Sequence, residues 1–228
     1  MATSQTQLGV LFDVDGTLVD TTYLHTVCWA EAFLAEGNVV PMNDIHHAIG
    51  MGSSELLDHL LGEERDTDAD DALIAGHLAL YRQHWGNLVP LPGATDVVRA
   101  CAERGLKVVL ASSASEPELE ALRKALDADD AIAVATGSSD AGSGKPEPDI
   151  LQAALDQSDL AAQNVVFVGD AVWDGASAQK ADVTFVGLTC GGTSGAELRD
   201  AGAVEIWRDP AHLLAEFDSS ALGALLAR

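Results

Sequence analysis

Asp13 and Asp15 stand two residues apart in "FDVDGTLVD", directly behind the apolar run "GVLF". A carboxylate set against a hydrophobic strand is costly unless something offsets its charge. Asp170 and Asp174 follow a second such run in "NVVFVGDAVWD", and Ser112 and Ser113 close a third, "KVVLASS". Lys145, one of four lysines, sits in "GSGKPEPD". Carboxylates gathered at one place push each other toward protonation unless a cation joins them. A hard divalent ion is the simplest remedy, and Mg²⁺ takes one or two carboxylates together with phosphate oxygens and water. A carboxylate beside such an ion can attack phosphorus and form an aspartyl-phosphate. A second carboxyl group two residues on can protonate the leaving oxygen and later take a proton from water.

For these groups to meet, the segments carrying them must end at one rim. Short β-branched runs near 8–14, 107–113, 131–136, 164–170, 183–188 and 203–207 alternate with helix-length stretches such as Glu116–Leu126, where Pro117 suits a first helical turn. Continuous rather than alternating hydrophobicity marks strands buried on both faces. The reading is an α/β fold, a doubly wound parallel sheet, in which ligands collect at the carboxyl ends of the strands. From about Thr21 to Trp85 helical periodicity replaces this rhythm, as in "LHTVCWAEAFLAEG" and "ADDALIAGHLALYRQHW". A connection of that length predicts an inserted all-helical cap domain. The expected division is a Rossmann-like core over 1–16 and 93–228 and a cap with hinge linkers over 17–92, stiffened by Pro90 and Pro92.

The net charge of −24 excludes nucleic acid and anionic membrane surfaces as natural partners. It also repels an anionic substrate, which then needs a local cation at the site. The apolar runs are strand-sized and too short to cross a bilayer. "MATSQTQLG" lacks the pattern of a secretory leader. Cys28, Cys101 and Cys190 are odd in number and outside any metal-ligand spacing, which fits reduced thiols in a cytoplasmic protein.

These residues make the chain resemble the haloacid dehalogenase superfamily, in its phosphatase branch with a helical cap. "DVDGTLVD" matches the family's DxDGTLxD, Ser112 its second motif, Lys145 in "GKPEPD" its third, and Asp170 with Asp174 its GDxxxD. The resemblance covers nearly the whole chain. It implies Mg²⁺ as cofactor and a small phosphorylated metabolite as substrate. By the same likeness Asp13 is the nucleophile and a metal ligand. Asp15 is the general acid and base and binds the metal through its carbonyl. Ser112 holds the phosphoryl group, Lys145 keeps phosphate and nucleophile in register, and Asp170 and Asp174 complete the metal site, Asp174 directly or through water. Thr17 supports the loop and contributes to substrate binding. Ser113 stands where many relatives carry Asn, so its phosphate contact departs from the pattern.

His25 and Trp29 share a helix face, and two readings stay open for them: substrate contact, as in phosphosugar-handling relatives, or packing. The remaining cap histidines match no metal spacing. Gly50–Ser53 reads as a substrate-contacting cap loop or as a turn between helices, the turn being preferred, and Gly191, Gly192 and Trp173 are expected to serve loop geometry and packing. Arg65 and Arg82 are the only fixed cations of the inserted segment, which suggests a substrate without a second phosphate. Competing functions are a phosphosugar mutase of the β-phosphoglucomutase type and a non-catalytic phosphate sensor. Asp15 argues against dehalogenation, and the absence of any lysine before Lys107 argues against imine-forming phosphonate hydrolysis. Monomer and homodimer are both compatible with the sequence.

Overall fold

A computed structural model describes residues 7–228 apart from Glu63 and Asp66. Most of the N-terminal stretch read for a leader therefore lies outside the described residues. Six strands, β1 (Gly9–Phe12), β2 (Lys107–Ala111), β3 (Ile132–Thr136), β4 (Val165–Gly169), β5 (Thr184–Leu188) and β6 (Glu205–Trp207), form one parallel sheet in the order β3-β2-β1-β4-β5-β6. The strand order reverses between β1 and β4. A crevice therefore opens at their carboxyl ends, the usual ligand position in open α/β sheets. Asp13 and Asp170 are the next residues along those two strands.

The strands read as continuous apolar runs because both faces are covered. Val10 and Phe12 point into one core with Val108, Leu110, Val166 and Val168. Leu11 points into the other with Val109, Val165 and Phe167. β6 is shorter than the run at 203–207 suggests. Val204, ahead of it, is 64% exposed at the sheet's outer edge.

Among the described residues the inserted segment is made of four α-helices, α1 (Thr22–Ala35), α2 (Met42–Ala48), α3 (Ser53–Leu61) and α4 (Asp70–Tyr81), with short 3-10 helices at Thr67–Ala69 and Arg82–Asn87. They enclose a separate apolar cluster built on Trp29, Phe33, Ile45, Leu56, Leu57 and Leu73. This is the helical cap expected from the loss of strand pattern. The two linkers to the sheet are hydrogen-bonded to each other. Asp20 N–H donates to Val89 O at 3.0 Å and Leu91 N–H to Leu18 O at 2.9 Å.

Among the remaining helices, α5 (Ala94–Glu103), α6 (Glu116–Leu126), α10 (Pro210–Ala215) and α11 (Ala221–Leu226) cover the Phe12 face. On the Leu11 face lie α7 (Asp149–Ser158), α8 (Val172–Lys180) and α9 (Gly195–Asp200). The first turn of α6 carries a reciprocal cap, in which the Glu118 carboxylate accepts from Ser115 N–H and Oγ–H, both at 3.1 Å.

Candidate active site

The loop after β1 sends Asp13 and Asp15 to different places. Asp13 N–H donates to Val168 O at 2.9 Å, which continues the β1–β4 pairing one residue past the strand. Gly16 then turns the chain at φ +80°, and a Cβ there would lie 2.3 Å from Thr22 Oγ1 and 2.6 Å from Asp170 Oδ2. Only glycine fits that position.

Lys145 reaches the cluster from the loop before α7 and is wholly buried. Its Nζ lies 2.5 Å from Asp13 Oδ1 and 2.8 Å from Asp174 Oδ1. The other Asp174 oxygen accepts from Asp170 N–H at 3.1 Å and Ala171 N–H at 2.9 Å, so Asp174 closes the start of its own helix. Thr17 Oγ1 donates to Asp170 Oδ1 at 2.8 Å. Asp13, Asp170 and Asp174 each bring an oxygen within 4.8 Å of the others.

The electrostatics of this cluster are unbalanced. Burial pushes the Asp13 carboxyl up to about 7, against the pull of Lys145 and with the help of Asp174 and Asp15. Asp170 is raised well above the usual range by burial and by the charges of Asp13 and Asp174. Burial disfavours the Lys145 ammonium, yet Asp13 and Asp174 together hold its pKa above the ordinary lysine value. Three carboxylates against one ammonium leave a charge deficit that a divalent cation matches. The donors are all oxygens, the choice of a hard ion, and oxygens on opposite sides of Mg²⁺ lie ~4.2 Å apart at its usual bond length. The residues present therefore fit a magnesium ion.

Asp15 faces the cap instead. Its Oδ1 accepts from Thr21 Oγ1 at 2.7 Å and from His25 Nε2 at 3.2 Å. Burial works against its charge, but the His25 hydrogen bond, the His25 charge and Thr21 hold its carboxyl below the usual range. His25 is disfavoured as a cation by burial and is nonetheless raised by its bond to Asp15. The second His25 nitrogen, Nδ1, lies 3.0 Å from His77 Nε2. Burial and the His25 charge push His77 well below the ordinary histidine value, so it stays neutral. Trp29 stacks on His77 with ring centroids 4.2 Å apart and a 9° tilt. The two residues sharing one face of α1 thus part company: His25 engages a carboxylate and Trp29 packs, although both border the cavity above Asp13.

Ser112 is fully buried at the end of β2, and its Oγ accepts from Ala114 N–H at 3.0 Å, which leaves its own proton to donate. Ser113 lines the cavity, with Oγ 3.5 Å from Gly50 O. Thr17 does not reach the cavity; its hydroxyl is spent on Asp170.

Several residues read as bland connect the cap to the acidic cluster. Gly50–Ser53 is a wall of the cavity as well as a turn. Gly52 N–H donates to Lys145 O at 3.2 Å, and Glu55 Oε1 accepts from Gly144 N–H at 2.8 Å. Gly191 lies so close to Asp170 that a Cβ would fall 1.5 Å from its Oδ2, and its carbonyl accepts from His46 Nε2 at 3.1 Å. Trp173 Nε1 donates to His47 O at 2.8 Å. The sequence marks no site role for Glu55, Glu118 or Gly144, and shows His77 only as one of several cap histidines expected to be solvated or packed. The Ser115-x-x-Glu118 pattern marks a helix start, but nothing in it says that the carboxylate also borders a cavity.

Fold and cluster together define a class: an α/β enzyme with an acidic centre at the carboxyl edge of a parallel sheet and a helical cap above it. Residues 8–182 match the family model of the haloacid dehalogenase-like hydrolases, and the chain belongs to that family. It is a phosphatase-type hydrolase. The phosphoglycolate phosphatase of Rhodospirillum rubrum is 29% identical over 214 residues, spanning 90% of this chain and 88% of that protein. A hydrolase from Pseudomonas syringae superposes with a TM-score of 0.89 at 32% identity, covering 94% of this chain and all (100%) of the other. The fold is also that of a β-phosphoglucomutase from Clostridium difficile, with a TM-score of 0.82, 18% identity, and coverage of 98% of this chain and 100% of the other. Among the described residues no helix is long and apolar enough to cross a membrane.

Proposed function

We propose that the chain is a Mg²⁺-dependent phosphatase of the cytoplasm that hydrolyses a small phosphomonoester through an aspartyl-phosphate on Asp13. The observation that carries this reading is the meeting of Asp13, Lys145, Asp170 and Asp174 beneath a cap-covered cavity. Lys145 occupies Asp13 Oδ1 and leaves Oδ2 for attack on phosphorus. Asp13, Asp170, the Asp15 carbonyl and, more weakly, Asp174 would hold the ion. Asp174 is the weakest donor because Lys145 and two amides already engage its oxygens. Mg²⁺ supplies charge stabilisation to the phosphoryl oxygens.

Asp13 forms a bond to phosphorus as the ester bond breaks, and the leaving oxygen takes a proton through Asp15, whose ionised carboxylate draws that proton from the His25 imidazolium bonded to it. His25 and Thr21 hold Asp15 in place for that transfer. The same carboxylate then takes a proton from water, which attacks phosphorus, frees orthophosphate and returns Asp13. Ser112 donates to the phosphoryl group, with Ser113 beside it, and Thr17 fixes Asp170. In this reading the cap spans 17–92 and selects the alcohol, while the core supplies the phosphate chemistry.

The test is phosphate release across a panel of phosphomonoesters with Mg²⁺, with EDTA, and with Asp13→Asn. EDTA-resistant turnover, or activity in the variant, removes the mechanism. A sugar monophosphate assayed with its bisphosphate as primer separates hydrolysis from mutase chemistry: isomer formation without phosphate release belongs to a mutase.

A further inference from the structure

The cavity above Asp13 has a volume of about 370 Å³, and among the described residues no lysine or arginine lines it. The cap arginines are committed elsewhere. Arg65 is clasped by Asp58 and Asp70, and Arg82 lies over the Trp85 ring at 5.0 Å. Lys145 is sealed beneath the floor by Asp13 and Asp174. His25 has both ring nitrogens engaged, by Asp15 and by His77.

The wall instead carries two carboxylates beyond the aspartates, one from each side. Glu118, from α6 of the core, is 8% exposed, and both of its hydrogen bonds fall on Oε2. Glu55, from the cap, lies in the first turn of α3 and is tied to Gly144 N–H. A helix start favours an anion, but here the chain's own carboxylate already takes that place. Hydroxyls of Ser53 and Ser54 and the apolar side chains of Met51 and Ile74 complete the surface.

We propose that this cavity selects phosphomonoesters whose alcohol carries no second negative charge, so that a neutral hydroxyl or an ammonium is accepted where a carboxylate or second phosphate is rejected. The inference rests on the phosphatase reading above and narrows its substrate class. A second anion in this space meets like charge from Glu55 and Glu118, and the one cation bordering it among the described residues, His25, already has both ring nitrogens taken by Asp15 and His77, which is discrimination by repulsion. A hydroxyl or ammonium brings donors that carboxylates accept. The chain would thereby part from the relatives whose name gives phosphoglycolate as substrate, an ester with a carboxylate two carbons from the phosphate oxygen.

Three two-carbon esters of near-equal size test this: 2-hydroxyethyl phosphate, phosphoethanolamine and phosphoglycolate, each assayed for kcat/KM with Mg²⁺. The wild-type protein is expected to favour the first two over phosphoglycolate by at least ~10-fold, or ~1.4 kcal/mol. In Glu55→Gln, Glu118→Gln and the double variant, the ratio of phosphoglycolate to 2-hydroxyethyl phosphate is expected to rise at least ~3-fold, ~0.6 kcal/mol on the same scale. Because the ratio is internal to each preparation, a partly unfolded variant still reports it. A wild-type enzyme that handles phosphoglycolate as well as the others, or a ratio unmoved in every variant, overturns the inference and leaves the phosphatase standing. No turnover of any of the three overturns both.

Discussion

Lys145 Nζ lies 2.5 Å from Asp13 Oδ1 with no solvent reaching the ammonium. The same nitrogen is 2.8 Å from Asp174, so one cation serves two buried carboxylates. Lys145→Met removes that cation and strands both. A broken buried pair costs ~3–5 kcal/mol, and the urea midpoint of the variant should fall accordingly while phosphate release disappears. A variant of wild-type stability would show that the ammonium does not hold this centre together.

Asp15, on the cap side, is the proposed acid and base. Asp15→Asn is expected to lower kcat by ~10²–10⁴-fold, the usual worth of a positioned proton donor. If water activation is the step most impaired, intact-protein mass spectrometry after rapid quenching should find one phosphoryl group on the Asp15→Asn chain. The Asp13→Asn chain should carry none. Label on Asp13→Asn would move the nucleophile elsewhere.

Metal removal should abolish turnover, and Mg²⁺ should restore it and raise Tm, since an ion bound only by the folded chain stabilises it by ~2.7 kcal/mol at a hundred times its Kd. Gly191→Ala and Thr17→Val probe the supports of Asp170. The first would place a Cβ 1.5 Å from Oδ2, and the second deletes the donor to Oδ1. Loss of a residue that orients a metal ligand commonly weakens metal binding ~10–100-fold. Both variants should therefore need more Mg²⁺ for half-maximal rate. An unchanged Mg²⁺ requirement would sever these residues from the metal site.

Glu118 gives a test by pH. Burial raises its carboxyl above the ordinary 4.5, with His25 and Ser115 opposing and Asp15 adding to the rise. A carboxyl whose pKa is higher folded than unfolded loses its proton more readily in the unfolded chain. Ionisation then favours unfolding, fully so above the folded pKa and not at all below the unfolded one. Glu118→Gln should accordingly raise Tm at neutral pH, and the gain should vanish as pH falls through about 4.5. Gln retains an oxygen to accept from Ser115. A gain that persists under acid would assign the effect to packing.

The acidic cluster was legible in the sequence because Asp13 and Asp170 break apolar runs at strand ends, where a bland explanation is expensive, and Asp174 follows one turn later. Lys145 stood out by rarity. The parallel sheet and the helical insertion were legible from periodicity, which reports burial directly. The walls of the cavity were not. Glu55 and Glu118 are glutamates on helices of an acidic chain, and His77 is one cap histidine among several. Their neighbours come from other segments: Glu55 meets Gly144, and His77 meets His25. Gly191 is likewise silent, because the need for glycine there arises from Asp170, 21 positions earlier, and not from its own loop. Thr17 was legible as part of a motif, but its partner was not, and its hydroxyl proves to hold an aspartate in place of facing the cavity.

The bonds that tie Asp20 to Val89 and Leu18 to Leu91 make the two crossings between sheet and helices a single ribbon. Two independent tethers would let the helical lobe tumble; a paired ribbon confines any rigid swing to one axis. A swing about that axis would return Glu55 to Gly144 and His25 to Asp15 in the same orientation. The pairing of the linkers thus ties the shape of the chamber over Asp13 to the sheet that carries the aspartates.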